Sequence, residues 1–474
     1  MRNLLSPFVY LSSNLISRIG VVLVTTAGVL FLALLPTIWR GETQNPYTGI
    51  LIFLLLPVFF VAGLMLIPLG IWLKRRRVRE SGEAREELPL TWANPDLRRL
   101  VVFIGLTTFV NLIIAAQLSY SAVTYMESTE FCGLTCHTVM KPEHTAYQNS
   151  PHARVTCVQC HIGEGADWFV KSKLSGAWQV ISVTFNLYSR PIPTPVHNLR
   201  PARETCEACH WPQKFGGDRL RVLSSFADDE TNTESKTVLL MHIGGGNRMG
   251  PGIHGVHLGP GVEIRYRHSD EARQTIPWVE YKKPDGSVES YIVDGVTPEA
   301  LQKMPLRLMD CMDCHNRPSH TFELPERALN HAMENHEVSR ALPFSKKTAL
   351  ELLKRDYQSE AEAARTIPAA FAEYYQKNHP TLFASKRDEI ERSGKAVYAI
   401  WARNVFPEMR VTWGSYPNNA GHQDFPGCFR CHDDEHKSKS GKTVGQDCNS
   451  CHSLLAMEET DPKVLKDLGF SGGQ

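Results

Sequence analysis

The sequence predicts a mainly α chain: three transmembrane helices, then a largely α and irregular domain with a small β insertion. Three observations predict this. Uncharged apolar runs of membrane-crossing length crowd into the first 126 residues. All twelve cysteines of the 474-residue chain fall after the last of those runs, in six Cys-Cys-His clusters. The long gaps around the fourth cluster first carry Gly-rich turns between β-type runs, then charged stretches with helical spacing.

Residues 19–39, IGVVLVTTAGVLFLALLPTIW, are an uncharged run long enough to cross about 30 Å of hydrocarbon. No small-residue cleavage site follows at Thr37 to Arg40, so the run reads as a helix that stays rather than a signal peptide. A second span is expected at 49–73, where Pro57 and Pro68 are tolerated, and a third at 100–126. The loop between spans two and three holds Lys74, Arg75, Arg76, Arg77, Arg79, Arg85, Arg98 and Arg99, against Arg40 alone in the loop before it. The basic side is therefore cytoplasmic, the N-terminus lies inside, and the chain from Tyr125 onward lies outside a bacterial inner membrane. The net charge of +1 points to neither nucleic acid nor a strongly acidic partner.

Five clusters read CxxCH: Cys157, Cys160, His161; Cys206, Cys209, His210; Cys311, Cys314, His315; Cys428, Cys431, His432; and Cys448, Cys451, His452. This is the signature of covalent c-type haem attachment, two thiols spaced for the haem vinyl groups and then an imidazole that reaches the iron. Zinc ribbons use CxxC pairs too, but need no histidine after each one. The first cluster, Cys132, Cys136 and His137, has one residue more between its cysteines. Six haem c groups are therefore expected, and their porphyrin faces can supply core that the polar C-terminal part lacks. No cysteine is left over for a disulfide.

Each motif histidine covers one face of its iron, and the opposite face decides function: a second ligand suits electron transfer, an open face admits substrate. His152, His197, His320, His422 and His436 lie near attachment motifs and are the preferred distal ligands. His254 and His257 in the Gly-rich insertion rank below them, and His331, His336 and His379 on helical faces lower still. The expected organisation is a membrane anchor over 1–126, a tetrahaem domain over 127–325 with a β-rich insertion at about 215–305, and a helical segment with a dihaem module over 326–474. The segment between Cys314 and Cys428 reads as two to four helices packed over haems, residues 433–447 as polar loop, and the tail after Leu465 as frayed.

The stretch from Phe131 to Pro325 resembles the NapC/NirT group of membrane-anchored quinol dehydrogenases. The resemblance is carried by the first cluster just beyond a transmembrane helix, a Met shortly after its histidine, SPHARVTCVQCH, and CMDCHNRPSHTFELP. It implies distal ligands at His152 and His320, and a first haem bound by Met140 beside a quinol pocket. The first iron keeps two candidate ligands, His137 and Met140, because the Met stands one residue further on than in the family. Basic quinol-site positions correspond to Lys171 and Lys173, while the family's acidic position falls on Gln179. The three-helix anchor, KSKLSGAWQV, PTPVHNLRPARETCEACHWP and the two additional C-terminal clusters look more like the inner-membrane quinol-oxidising cytochromes of metal-reducing bacteria. The implied activity is oxidation of menaquinol from the membrane quinone pool, with electrons leaving to periplasmic c-type cytochromes or a periplasmic reductase, and membrane lipids around the anchor. Rival readings are a terminal oxyanion reductase of the nitrite type, against which stands the lack of a CxxCK motif, and a membrane-anchored wire that never touches quinol.

Overall fold

The computed structural model describes residues 14–39, 55–81, 92–93, 95–135, 137–163, 165–196, 199–244 and 252–470. The chain is mainly helical and falls into two compact units, Met1–Phe131 and Cys132–Gln474.

The first unit holds α1 (Leu15–Trp39), α2 (Leu56–Glu80) and α3 (Pro95–Met126), each long and apolar enough to cross a membrane. The first begins four residues before the expected span and the third five before, because Arg18, Arg98 and Arg99 extend the helices beyond the purely apolar windows. Residues 49–54 of the second expected span lie outside the described residues. Its helix runs on to Glu80, through the basic run, with an Arg76–Glu80 ion pair at 2.7 Å on the last turn. Small residues bring α1 and α2 together: a Cβ at Gly20 would stand 2.7 Å from the Gly63 carbonyl, and the Ser17 hydroxyl donates to the Ile67 carbonyl at 3.0 Å. In a solvent as apolar as the helices themselves, such close backbone approach is what holds helix pairs.

The second unit opens with a wide π turn over Phe131–Thr135, then α4 (His137–Gln148), α5 (Cys157–His161), α6 (Ala166–Thr184) and α7 (Ala202–Cys206). The insertion follows: β1 (Arg219–Phe226), β2 (Glu234–Met241), α8 (Gly252–Leu258), β3 (Glu263–Arg267), β4 (Trp278–Lys282), β5 (Val288–Ile292), α9 (Pro298–Lys303) and β6 (Leu306–Leu308). It is not self-contained. One sheet has the order β1-β2-β8, with β8 (His452–Glu459) coming from the last cluster, and the other is β6-β3-β4-β5-β7, with β7 (Lys437–Ser438) coming from the stretch expected as loop. All the pairings are antiparallel. After α10 (Cys311–Cys314) come five helices rather than two to four: α11 (Pro325–Glu334), α12 (Ser345–Leu353), α13 (Glu360–Asn378), α14 (Pro380–Ser385) and α15 (Arg387–Asn404). The fraying expected after Leu465 is not found over the described residues 466–470, since α16 (Lys463–Asp467) buries Leu465 beside Val238 and Ala456.

The helical segment is expected to pack over haems, but it has a side-chain core of its own. Leu329, Met333, Leu342, Leu353, Ile367, Phe371, Tyr375, Ile390, Ile400 and Trp401 are all closed off from solvent there. Gly394 makes the α13–α15 crossing possible, since a Cβ would stand 3.2 Å from the Pro368 carbonyl. Within this core Lys346 is 3% exposed, its Nζ donating to the Glu326 carbonyl at 3.2 Å and to Asn330 Oδ1. Burial pulls its ammonium down to about 8. Between about pH 8 and the ordinary lysine range near 10.5, the unfolded chain therefore binds the proton that the folded chain has released, and stability rises with pH. Lys346→Met is expected to remove that rise, at most about 3 kcal/mol, when denaturant midpoints of wild type and variant are compared at the two ends of the window.

Candidate haem centres

A CxxCH stretch works because one helical turn turns both thiols and the histidine to one side. In the third cluster the Cys206 carbonyl accepts the N–H of Cys209 at 3.1 Å and of His210 at 2.8 Å. The Cys428 carbonyl accepts those of Cys431 and His432 at 3.3 and 3.1 Å, and the Cys311 carbonyl that of His315 at 2.8 Å. The first cluster absorbs its additional residue in the π turn, whose i to i+5 winding takes one residue more per turn. Gly133 sits at its tightest point: a Cβ there would lie 2.2 Å from the His144 ring. Cys136 and the side chain of His137 lie outside the described residues.

The other five motif histidines each face a second histidine. Ring centres lie 6.1 Å apart for His161 and His320, 6.0 Å for His210 and His152, 6.3 Å for His315 and His254, 5.9 Å for His432 and His257, and 6.2 Å for His452 and His422. Two imidazoles on opposite faces of one iron, each with a metal–nitrogen bond of about 2 Å, hold their ring centres roughly 6 Å apart. The five pairs fit that spacing. Burial also lowers the proton affinity of His161, His254, His257, His315 and His452, which keeps these rings neutral with a lone pair to give. Among the described residues no three His, Cys, Asp or Glu side chains converge on a metal position, as a tetrahedral zinc site would need.

Of the preferred distal candidates, His152, His320 and His422 face motif histidines. His436 does not. It is 1% exposed, with Nδ1 held by both Asp433 oxygens at 2.8 and 2.9 Å and Nε2 held by the Ile276 carbonyl at 2.7 Å, so neither nitrogen is open to iron. His197 lies outside the described residues. His254 and His257, ranked lower, face His315 and His432 from the short helix α8. His331 is engaged by Glu323 Oε1 at 2.7 Å, which raises its proton affinity, and His379 packs on Tyr374 and Tyr375. His336 turns the chain after α11 with φ 60°.

The attachment cysteines of the second to sixth clusters form a row in chain order. Cys160 lies near Cys209, Cys206 near Cys311, and Cys428 near both Cys314 and Cys451. Buried polar contacts hold neighbouring motifs together. Asp313, inside the fourth motif, accepts from Tyr266 Oη at 2.5 Å and Arg307 Nε at 2.7 Å, while Arg430, inside the fifth, donates to the Asp313 and Arg273 carbonyls. Burial beside Asp313 also keeps the Tyr266 phenol protonated far above its usual range.

Residues 95–191 match the family described as the NapC/NirT cytochrome c family, N-terminal region. Over 463 residues the chain is 42% identical to cytochrome c-type protein ImcH of Geobacter sulfurreducens, a match that covers 96% of this chain and 91% of ImcH. The chain belongs to the NapC/NirT cytochrome c family. Cytochrome c-type protein NrfH of Wolinella succinogenes is 31% identical over 115 residues, 23% of this chain and 62% of NrfH. No solved structure matches. As a NapC/NirT cytochrome the chain is a membrane-anchored multihaem c-type cytochrome of electron transport, with covalently bound haem c.

The residues matched to the family's quinol site stand on two helices. Met140 is half-buried on α4, and Lys171, Lys173 and Gln179 are on α6. Lys171 Nζ lies 4.4 Å over the Trp168 ring, and Gln179 Nε2 donates to Ser175 Oγ at 3.3 Å. Lys171 and Lys173 flank a face of α6 that their charges alone do not reveal. Val170, Leu174, Trp178 and Ile181 follow one another at intervals of four, four and three, so they share one side of α6, and all are exposed. The spacing was there to be found, inside a stretch read only for its charges.

Proposed function

We propose that this NapC/NirT cytochrome is a quinol dehydrogenase carrying six haems, with its N-terminus cytoplasmic and its haem domain on the periplasmic side. It oxidises menaquinol and delivers electrons to periplasmic cytochromes or a periplasmic reductase. The observation that carries the reading is the set of five facing histidine pairs. Paired imidazoles close both faces of an iron and leave an oxyanion nowhere to bind, which favours electron transfer over terminal reduction. When bound, the haems supply one-electron carriage along the row.

The chain's own residues do the rest. The cysteine row fixes the sequence of centres, from the first clusters to the pair at Cys428 and Cys448. His152, His320, His254, His257 and His422 serve as distal ligands, and Met140 or His137 holds the first iron. The exposed apolar side of α6 offers a surface for an apolar quinol and for lipid tails. Lys171 and Lys173 flank it and provide polar contacts to quinol oxygens, Gln179 stands on the other side of the helix, and water at this exposed helix can receive the protons.

The test is anaerobic addition of a menaquinol analogue to the purified protein in detergent, following the reduced haem bands. Wild type is expected to be reduced rapidly, with Met140→Leu and Lys173→Ala slower by about tenfold or more. Six haems reducible by dithionite but untouched by quinol would replace this reading with that of a wire fed by another subunit.

A further inference from the structure

His320 has a carboxylate as well as a carbonyl against its second nitrogen. Nδ1 of His152, His254, His257 and His432 lies against backbone carbonyls, of Pro318, Ile243, Ile253 and Gly445, at 3.2, 3.2, 2.7 and 3.0 Å. His320 Nδ1 lies 3.0 Å from the Glu143 carbonyl and 3.2 Å from the Glu143 carboxylate oxygen Oε2. Glu143 stands on α4, the helix that opens at the first-cluster His137 and carries Met140. Behind it, Arg317 Nη1 donates to both Glu143 oxygens, at 3.2 and 3.3 Å. Arg317 is 7% exposed and stacked 3.9 Å over the Tyr416 ring, yet its Nε and Nη2 are buried without a partner. A buried guanidinium with an open side-on fork is costly until a carboxylate fills it, and the haem propionates are the carboxylates that cofactor binding brings.

We propose that Glu143 is a positioning residue for the iron attached through Cys157 and Cys160: from the first-cluster helix it sets its carboxylate, besides its carbonyl, against Nδ1 of the ligand His320 and holds that iron at a lower potential than the carbonyl alone would. Arg317 anchors a haem propionate through its open fork. This rests on the reading of His161 and His320 as a ligand pair. A carboxylate sharing the Nδ1 proton makes the imidazole a stronger donor, which stabilises ferric over ferrous iron. The negative charge acts in the same sense. Arg317 offsets part of that charge but does not touch the ring.

The experiment is a potentiometric titration of the purified full-length protein, read by haem absorbance and by magnetic circular dichroism. Glu143→Gln keeps the shape and removes the charge. It is expected to keep the spin state of every haem as in wild type and to move one component, with a single haem's share of the absorbance, to higher potential. Arg317→Met, which leaves the carboxylate unopposed, is expected to move that same component lower. Opposite shifts support the proposal, because mere loosening of the pocket moves both variants the same way. No shift, or shifts of one sign, overturns it. His320→Ala separates the two ideas. If it turns one haem high-spin while Glu143→Gln moves nothing, the ligand pair stands and the role of Glu143 falls. If all haems stay low-spin in His320→Ala, the ligand pair falls and the role of Glu143 with it.

Discussion

Replacing His254 with alanine is expected to turn one low-spin haem high-spin, and His257→Ala to do the same to its neighbour. The two histidines are three residues apart on α8, so they lie on one side of a single turn, and they face His315 and His432 at 6.3 and 5.9 Å. Alanine removes one of two strong-field ligands from an iron that nothing else on α8 can reach. The double variant should therefore add two haems' worth of high-spin signal by electron paramagnetic resonance, with the other three paired haems still low-spin. Because those two centres lie in the middle of the cysteine row, passage from the first clusters to the last should slow most in the double variant. His436→Ala gives the contrast. Its nitrogens are spent on Asp433 and Ile276, so no haem should change spin, while a buried carboxylate and carbonyl lose their donors at a cost of about 1–3 kcal/mol. A high-spin signal in His436→Ala and none in His257→Ala would reverse the assignment.

The largest loss of stability is expected from Phe371→Ala or Trp401→Ala, at about 3–5 kcal/mol each. Phe371 packs at a tilt on Tyr375, 5.3 Å between ring centres, and Trp401 meets Tyr357 edge-on at 5.7 Å, in a core closed by α11, α12, α13 and α15. Neither ring is among the residues placed at a haem centre. The haem spectrum of the native state should then be unchanged, and only the denaturant midpoint of the haem domain should fall. Loss of haem at low denaturant in Phe371→Ala would instead mean that this core and the centres unfold as one.

What the sequence made plain was local. An apolar window of 20 residues is visible without knowing the fold, and so is a CxxCH turn, because each needs only neighbours in the chain. The histidines that face the motif histidines are non-local, and nearness in sequence misled. His436 stands four residues after a motif histidine, but Asp433 captures its ring from one turn before. GIHGVHL carries the His-x-x-His spacing of one helical side, yet its glycines read as turn. His152 precedes the second motif and faces the third, and His320 follows the fourth and faces the second, an exchange that no spacing rule contains. The β insertion was recognisable from its Asp-Gly turns at 285–286 and 294–295, but its borders were not, since Ala456 meets Val238 across more than 200 residues.

That last pairing bears on how the protein is made. The edge of β2 waits for β8, which is made only after the more than 200 residues that separate them. Until it arrives, the growing chain carries an open strand edge, a surface that invites the wrong partner. A stop codon placed directly after His452 would leave every haem motif intact and still yield a chain prone to aggregate, so a premature end would be felt in assembly before it was felt in redox chemistry.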